Sequence, residues 1–155
     1  MKVCSYRCKK PLHREVFKAI EGIQAVDATF LYGADHIEFV ALQADRAIER
    51  GEGICSNIFL ETLVRASGQR QINRAIEMYG LRGSREIVVF AEALPQEIER
   101  LIGAEETELK MDASRIEALK EAFSISDEEL EAVPDDPREA VKMLIRERIA
   151  LVSVL

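Results

Sequence analysis

The sequence contains few cysteines: Cys4, Cys8 and Cys55 are the only three among 155 residues. An odd, small number argues against a disulfide framework. If the N-terminal segment is a strand, the Cα atoms of Cys4 and Cys8 lie about 13 Å apart, which is too far for a disulfide. His13 follows, but no second ligand pair has the spacing of a zinc site. We therefore predict no metal site and interpret the cysteines as small buried apolar residues.

Long hydrophobic runs are also absent. No apolar stretch approaches the roughly 18 residues that a membrane helix needs. The N-terminal stretch MKVCSYRCKKPL contains no continuous apolar segment of the kind found in secretory signals. We therefore expect a cytosolic protein without a membrane partner. Internal repeats and low-complexity tracts are missing too, and the length fits one domain, which we place over residues 1–155.

Catalytic motifs are missing as well. Gly51-x-Gly53 lacks the third glycine of a dinucleotide fingerprint, and there is no Walker loop, Gly-x-Ser-x-Gly elbow or His-Glu-x-x-His. His36 lies in the first turn of a predicted helix, which lowers the pKa of an imidazole. A polar residue that covers the neighbouring strand is nevertheless the simpler interpretation. The sequence predicts no catalytic residues and no cofactor, and it favours a non-catalytic protein over a metabolic enzyme.

Charge is unevenly distributed along the chain. The net charge is −7, yet residues 56–85 carry five arginines and only two glutamates. We call these residues the basic island. An acidic protein is a poor general nucleic-acid binder, so the basic island has two interpretations. It is either a local nucleic-acid contact or a solvated helix face whose arginines pair with Glu61 and Glu77, and composition alone favours the second.

Hydrophobic periodicity predicts an α+β fold, in which a small mixed β-sheet of few strands is packed with many helices. The predicted strands are residues 2–7, 25–32 and 85–91. The predicted helices start at Pro11, at Asp35 with Glu38 as a capping box, at Ser56, after Gly68, at Pro95, at Asp112, at Ser126 and at Arg138. Residues 104–155 form an acidic helical C-terminal part.

Residues 51–83 are predicted to form two short amphipathic helices joined by a tight turn at Gly68. In the first helix, Asn57, Glu61 and Arg65 are spaced i, i+4, i+8 and share a polar face. The apolar stripe of the second helix consists of Ile72, Ala75, Ile76 and Tyr79. One interpretation is a helix-turn-helix DNA-binding regulator whose second helix enters the major groove. The acidic C-terminal third argues against it, because it would repel phosphate.

Asn57 begins the first helix, and the run Ser-Gly-Gln-Arg-Gln-Ile at residues 67–72 separates it from the second. This pattern resembles the kinase-binding small subunit of the KEOPS complex, which makes threonylcarbamoyladenosine in tRNA. The resemblance extends upstream to Asp35-His36-Ile37 and downstream to the strand at residues 86–90. It implies a non-catalytic regulatory subunit that binds the complex's small atypical kinase, an ATPase, and the single-stranded acceptor end of tRNA.

The resemblance also implies where the RNA binds. The implied tRNA-binding residues are Asn57, Arg65, Gln69, Arg70, Gln71, Ile72 and Arg74. Single-stranded ends are held by arginines on phosphates and by apolar surfaces under bases. A turn that presents both kinds of side chain suits such a ligand.

The C-terminal helix is the candidate kinase contact. Its predicted apolar stripe consists of Val141, Leu144, Ile145, Val152 and Leu155, with Arg148 interrupting it. A small domain does not bury every such stripe completely, and an exposed stripe marks an interface. We therefore predict that one face, including Leu144 or Leu151, contacts the kinase. Core packing of these residues is the alternative.

Overall fold

The computed structural model describes residues 1–154 and confirms the α+β class. The elements in chain order are β1 (Lys2–His13), α1 (Glu15–Lys18), β2 (Gln24–Asp27), α2 (Ala34–Glu49), α3 (Ile58–Ala66), α4 (Ile72–Tyr79), β3 (Arg82–Ala91), α5 (Ile98–Ile102), β4 (Ala104–Glu106), α6 (Ala113–Ala122), α7 (Asp127–Ala132) and α8 (Pro137–Val152).

The strands form one four-stranded sheet in the order β2-β3-β1-β4. Each neighbouring pair is antiparallel, so the sheet is antiparallel instead of the predicted mixed sheet. Strand β4 was not predicted from the sequence, because three residues are too few to show a period-2 pattern. It pairs with β1 through Tyr6↔Glu106, Arg7↔Glu105 and Cys8↔Ala104.

Strand β3 is apolar on both sides because both faces of the sheet are covered. Val88 and Phe90 belong to one core cluster, together with residues from α2, α3, α4, α6 and α8. Ile87 and Val89, on the opposite face, belong to a second cluster that includes the buried side of α5. Continuous apolar runs are typical of strands buried in this way.

The N-terminal helix starts later than predicted. Pro11 lies within β1, and helix α1 begins only at Glu15. Pairing of β1 with β3 continues to His13, with a register irregularity between Arg7 and Leu12. A proline that cannot donate a ladder hydrogen bond is tolerated at such an irregularity, so the proline does not mark a helix start here.

Strand β2 ends at Asp27 instead of Tyr32, because the Asp27 carboxylate accepts a hydrogen bond from the Thr29 N–H at 2.8 Å. Such side-chain turns compete with strand pairing. The predicted capping box of α2 is also wrong: the N-cap is Gly33, without a side-chain cap, and Asp35 pairs with Lys142.

The predicted cap at Ser126 is confirmed, and Asp112, predicted only as the start of a helix, is also a cap. The side chain of Asp112 accepts from the Arg115 N–H and caps α6, and Ser126 caps α7 through the Glu129 N–H at 3.1 Å. Helix α8 buries Val141, Leu144, Ile145, Ile149 and Val152. Leu155, predicted on the same stripe, lies outside the described residues.

Candidate functional site

The predicted turn between the two helices is present, and we call residues 67–71 the α3–α4 turn. The Ser67 hydroxyl donates to the Val64 carbonyl at 2.6 Å and accepts from the Gln69 N–H at 3.2 Å. Gly68 has φ +67°, the left-handed conformation predicted for this helix end. A Cβ at Gly68 would lie 3.3 Å from the Cβ of Arg148, so the turn also packs closely against α8.

Two buried side chains bind the carbonyl of Ala66, just before the α3–α4 turn, and so hold the end of α3. The hydroxyl of Tyr79 donates to it at 2.9 Å, and Nε2 of the fully buried His36 lies 3.0 Å from it. Nδ1 of His36 accepts from the Tyr32 N–H at 3.2 Å, so Nε2 carries the proton. The imidazole is thus a structural group of the core rather than a surface cover for a strand.

Burial makes His36 a pH-sensitive element of stability. Desolvation lowers its pKa from the ordinary 6.5 to about 4. The unfolded chain therefore binds a proton that the folded chain does not, and this stabilisation is fully present above pH 6.5 and lost as the pH falls towards 4. We expect the free energy of unfolding attributable to His36 to drop by about 2 kcal/mol between pH 7.5 and pH 5.

Urea unfolding of two histidine variants checks this. His36→Gln should lose this part of the pH dependence, whereas His13→Gln, at an exposed position, should keep it. An unchanged pH dependence in His36→Gln would contradict the assignment.

A buried ion pair supports the face of α3 that the sequence pattern assigned to solvent. Glu61 is 0% exposed and Arg65 is 4% exposed, with 3.6 Å between Arg65 Nε and Glu61 Oε2. The Glu61 carboxylate also accepts from the backbone N–H groups of Ile54 and Cys55, at 3.1 and 3.2 Å. The Glu61 carboxylate therefore holds the loop before α3. The predicted RNA contact of Arg65 does not fit this structure, because the side chain is too deeply buried.

The C-terminal end of α8 is bound by two arginines of the basic island. Arg65 Nη1 donates to the Ser153 hydroxyl at 2.9 Å, and Arg70 Nη1 donates to the Val152 carbonyl at 2.8 Å. Helix α8 has no basic residue of its own in its last turn. The arginines supply the positive charge that favours the negative end of a helix dipole.

The other predicted RNA-binding residues divide into two groups. Asn57 caps α3 by accepting from the Leu60 N–H at 3.1 Å, which is a structural role. Gln71 is exposed, and Gln69 and Arg74 are partly exposed. Arg74 pairs with the exposed Glu77 at 3.7 Å.

The apolar side of α4 is rotated from the predicted one. Ala75, Met78 and Tyr79 are buried, whereas Ile72 is 38% and Ile76 is 45% exposed. The sequence pattern was ambiguous because Met78 extends the apolar arc of α4 on the side away from the two isoleucines, so either edge of the arc could face the core. Ile72 and Arg74 lie about 200° apart around the helix, so they do not form one compact patch.

An apolar groove of about 420 Å³ continues from Ile76. Phe59, Leu60, Leu63 and Leu81 line it, together with the charged residues Arg14, Glu77 and Arg82. Sequence reasoning missed this groove, because its residues come from separate parts of the chain: the N-terminal region, α3, α4 and the start of β3. An apolar floor beside arginines suits an unpaired nucleobase next to its phosphate.

Helix α8 carries an exposed stripe on the side opposite its core residues. Its members in the helix are Met143, Glu147, Ala150 and Leu151, spaced i, i+4, i+7 and i+8. Val154, in the turn just after the helix, extends the same exposed side, and we call these five residues the α8 stripe. Leu151 is 53% exposed, in agreement with its predicted availability. Leu144 is 8% exposed and belongs to the core cluster. The interface role predicted for Leu144 therefore does not fit its position.

The cysteines are free thiols, of which Cys8 is buried while Cys4 and Cys55 are partly buried. Burial raises the pKa of the Cys8 thiol to about 11, which makes it a weak nucleophile. Within residues 1–154, no group of three or more His, Cys, Asp or Glu side chains is placed to hold a metal ion. No helix in the described part of the chain has both the length and the apolar character needed to cross a membrane.

Comparison with known proteins identifies the family. The family model described as kinase binding protein CGI-121 matches residues 9–153, which include the α3–α4 turn and all but the last residue of the α8 stripe. No curated protein matches the chain significantly. The chain belongs to the CGI-121 family of kinase-binding proteins.

Proposed function

We propose that this chain is a cytosolic, non-catalytic subunit of the KEOPS complex. It binds the small kinase of that complex and the acceptor end of tRNA, and thereby supports threonylcarbamoyladenosine modification. Membership in a kinase-binding family supports the first contact. The family description gives no support to the alternative of a helix-turn-helix DNA-binding regulator.

The α8 stripe is the proposed kinase surface. Met143 and Leu151, on one face of α8, are 47% and 53% exposed, and Val154 in the turn that follows is 76% exposed. Large apolar side chains exposed on one side of a protein favour a protein interface. The core side of the same helix is already filled, so a partner can cover the stripe without rearranging the fold.

The main support for the proposed tRNA binding is that Arg70, Gln71 and Ile72 are all exposed where the α3–α4 turn joins α4. Arg70 uses one N–H on the Val152 carbonyl, and a guanidinium has five donors, of which the others make no hydrogen bond within residues 1–154. The exposed Ile72 lies one helical turn before Ile76, and Ile76 lines the apolar groove, which offers a surface for bases.

Reversing the charge of two arginines tests the proposed tRNA binding. Arg70→Glu with Arg74→Glu should weaken tRNA binding by about 3 kcal/mol or more, roughly 100-fold, because each charged hydrogen bond contributes about 1.5–3 kcal/mol and reversal adds repulsion. Electrophoretic shift titrations with intact tRNA and with tRNA lacking its unpaired end measure the effect. The trimmed RNA should bind the wild type as poorly as intact tRNA binds the double variant.

A matched control separates contact from overall charge. Lys9→Glu with Lys10→Glu changes the same number of charges on exposed side chains outside the basic island and the groove. We expect it to weaken tRNA binding much less. Equal affinity of the wild type for both RNAs, or an unaffected Arg70/Arg74 variant, would show that the basic island is only a solvated helix face.

A further inference from the structure

The end of α8 lies between the two proposed binding surfaces. Leu151, on the exposed side of the last turn, belongs to the α8 stripe. The next residue, Val152, is buried, and its carbonyl accepts the hydrogen bond from Arg70. The last turn of α8 therefore contacts the proposed RNA-binding arginine on one side and contributes Leu151 to the proposed kinase surface on the other.

The contacts that hold this turn come from distant parts of the chain. Arg70 is 82 residues away from Val152 in sequence, and Arg65 is 88 residues away from Ser153. Arg65 is fixed in turn by the buried Glu61. Arg70, in contrast, is exposed and is held at the α8 end by the 2.8 Å bond to Val152. Its orientation therefore depends on order in the last turn of α8.

We propose that the end of α8 together with the turn that follows it, residues 151–154, is a positioning element that couples kinase binding to RNA binding. A partner that covers Leu151 and Val154 restricts the motion of this turn and with it that of the Val152 carbonyl, which already accepts the bond from Arg70 in the isolated chain. Arg70 is then held with its remaining donors directed to phosphate, so less side-chain entropy is lost when RNA binds. By linkage, RNA on Arg70 strengthens kinase binding by the same factor. The proposal rests on the function proposed above.

The coupling is measured as the affinity for a fluorescently labelled tRNA transcript, with and without a saturating amount of the small kinase that co-purifies with the chain. Titration of the kinase alone with the same RNA gives its separate contribution. We expect the kinase to tighten RNA binding to the wild-type chain about fivefold, at the lower end of typical couplings between sites.

Three variants separate positioning from charge. Arg70→Lys keeps the positive charge but lacks the planar fork that binds a carbonyl and a phosphate together, so the kinase should no longer tighten RNA binding. Arg74→Lys is the matched control, because Arg74 pairs with Glu77 on α4 itself, and it should retain the fivefold effect. Ser153→Ala keeps every charge but removes the Arg65 contact, and it should reduce the effect.

The possible outcomes are distinct. If the wild type binds RNA equally well with and without kinase, or if Arg70→Lys keeps the full effect, the coupling is wrong while the proposed function stands. If the wild type binds no tRNA under either condition, the proposed function is wrong and the coupling with it.

Discussion

Glu61→Ala is expected to destabilise the protein by about 3–5 kcal/mol, the usual result of removing one partner from a buried ion pair. The variant leaves the Arg65 guanidinium, 4% exposed, without its counter-charge. It also leaves the N–H groups of Ile54 and Cys55 without the carboxylate that accepts them. Gly53 fits the same loop closely, since a Cβ there would lie 2.7 Å from the Cys55 carbonyl oxygen.

The exposed pair on α4 provides the matched control. Arg74 and Glu77 are also a glutamate and an arginine within one helix, but their side chains are 41% and 68% exposed. Glu77→Ala should therefore change the free energy of unfolding by less than about 0.5 kcal/mol. Urea unfolding at pH 7 compares the two variants. Similar, small losses in both would mean that Glu61 is accessible to water and does not hold the loop.

Leu144→Glu is expected to destabilise the fold by at least about 4 kcal/mol. Truncating a core leucine to alanine already costs about 2–5 kcal/mol, and the glutamate adds an unpaired buried charge. Leu144 lies in the core cluster at 8% exposure. Because small proteins are stable by only about 5–15 kcal/mol, the variant should lose much of its native circular dichroism signal or unfold at far lower urea concentration.

Leu151→Glu separates the interface from the core on the same helix. Leu151 is 53% exposed, so the variant should unfold like the wild type while losing affinity for the kinase. Calorimetric titration with the kinase measures the affinity. A folded Leu144→Glu variant that fails to bind the kinase would place the interface at Leu144 and contradict the assignment of the α8 stripe.

Local patterns predicted those parts of the candidate site that local contacts determine. The α3–α4 turn follows from Gly68, whose positive φ suits the end of a helix, and from the short-range hydrogen bonds of Ser67. The predicted cap at Ser126 similarly involves an N–H only three residues away. Such contacts lie within the window that periodicity and capping rules examine.

Long-range contacts were not accessible to these rules. The spacing of Glu61 and Arg65 is typical of a solvated polar face, yet both are buried, because Arg65 reaches Ser153 at the end of the chain. The α8 stripe was only partly predicted, since Glu147 and Ala150 separate its large apolar residues. The rotation of α4 was missed because Met78 and Ile76 both extend the same apolar arc, and only packing decides between them.

The most direct test is to isolate the tagged chain from its native cell, identify the bound proteins by mass spectrometry and sequence the bound RNA. We expect the wild type to recover a small kinase together with tRNA. Leu151→Glu should lose the kinase but retain most of the tRNA, and Arg70→Glu with Arg74→Glu should lose the tRNA but retain most of the kinase. Recovery of neither partner by the wild type, or loss of both partners together in either folded variant, would contradict two separate binding surfaces on this chain.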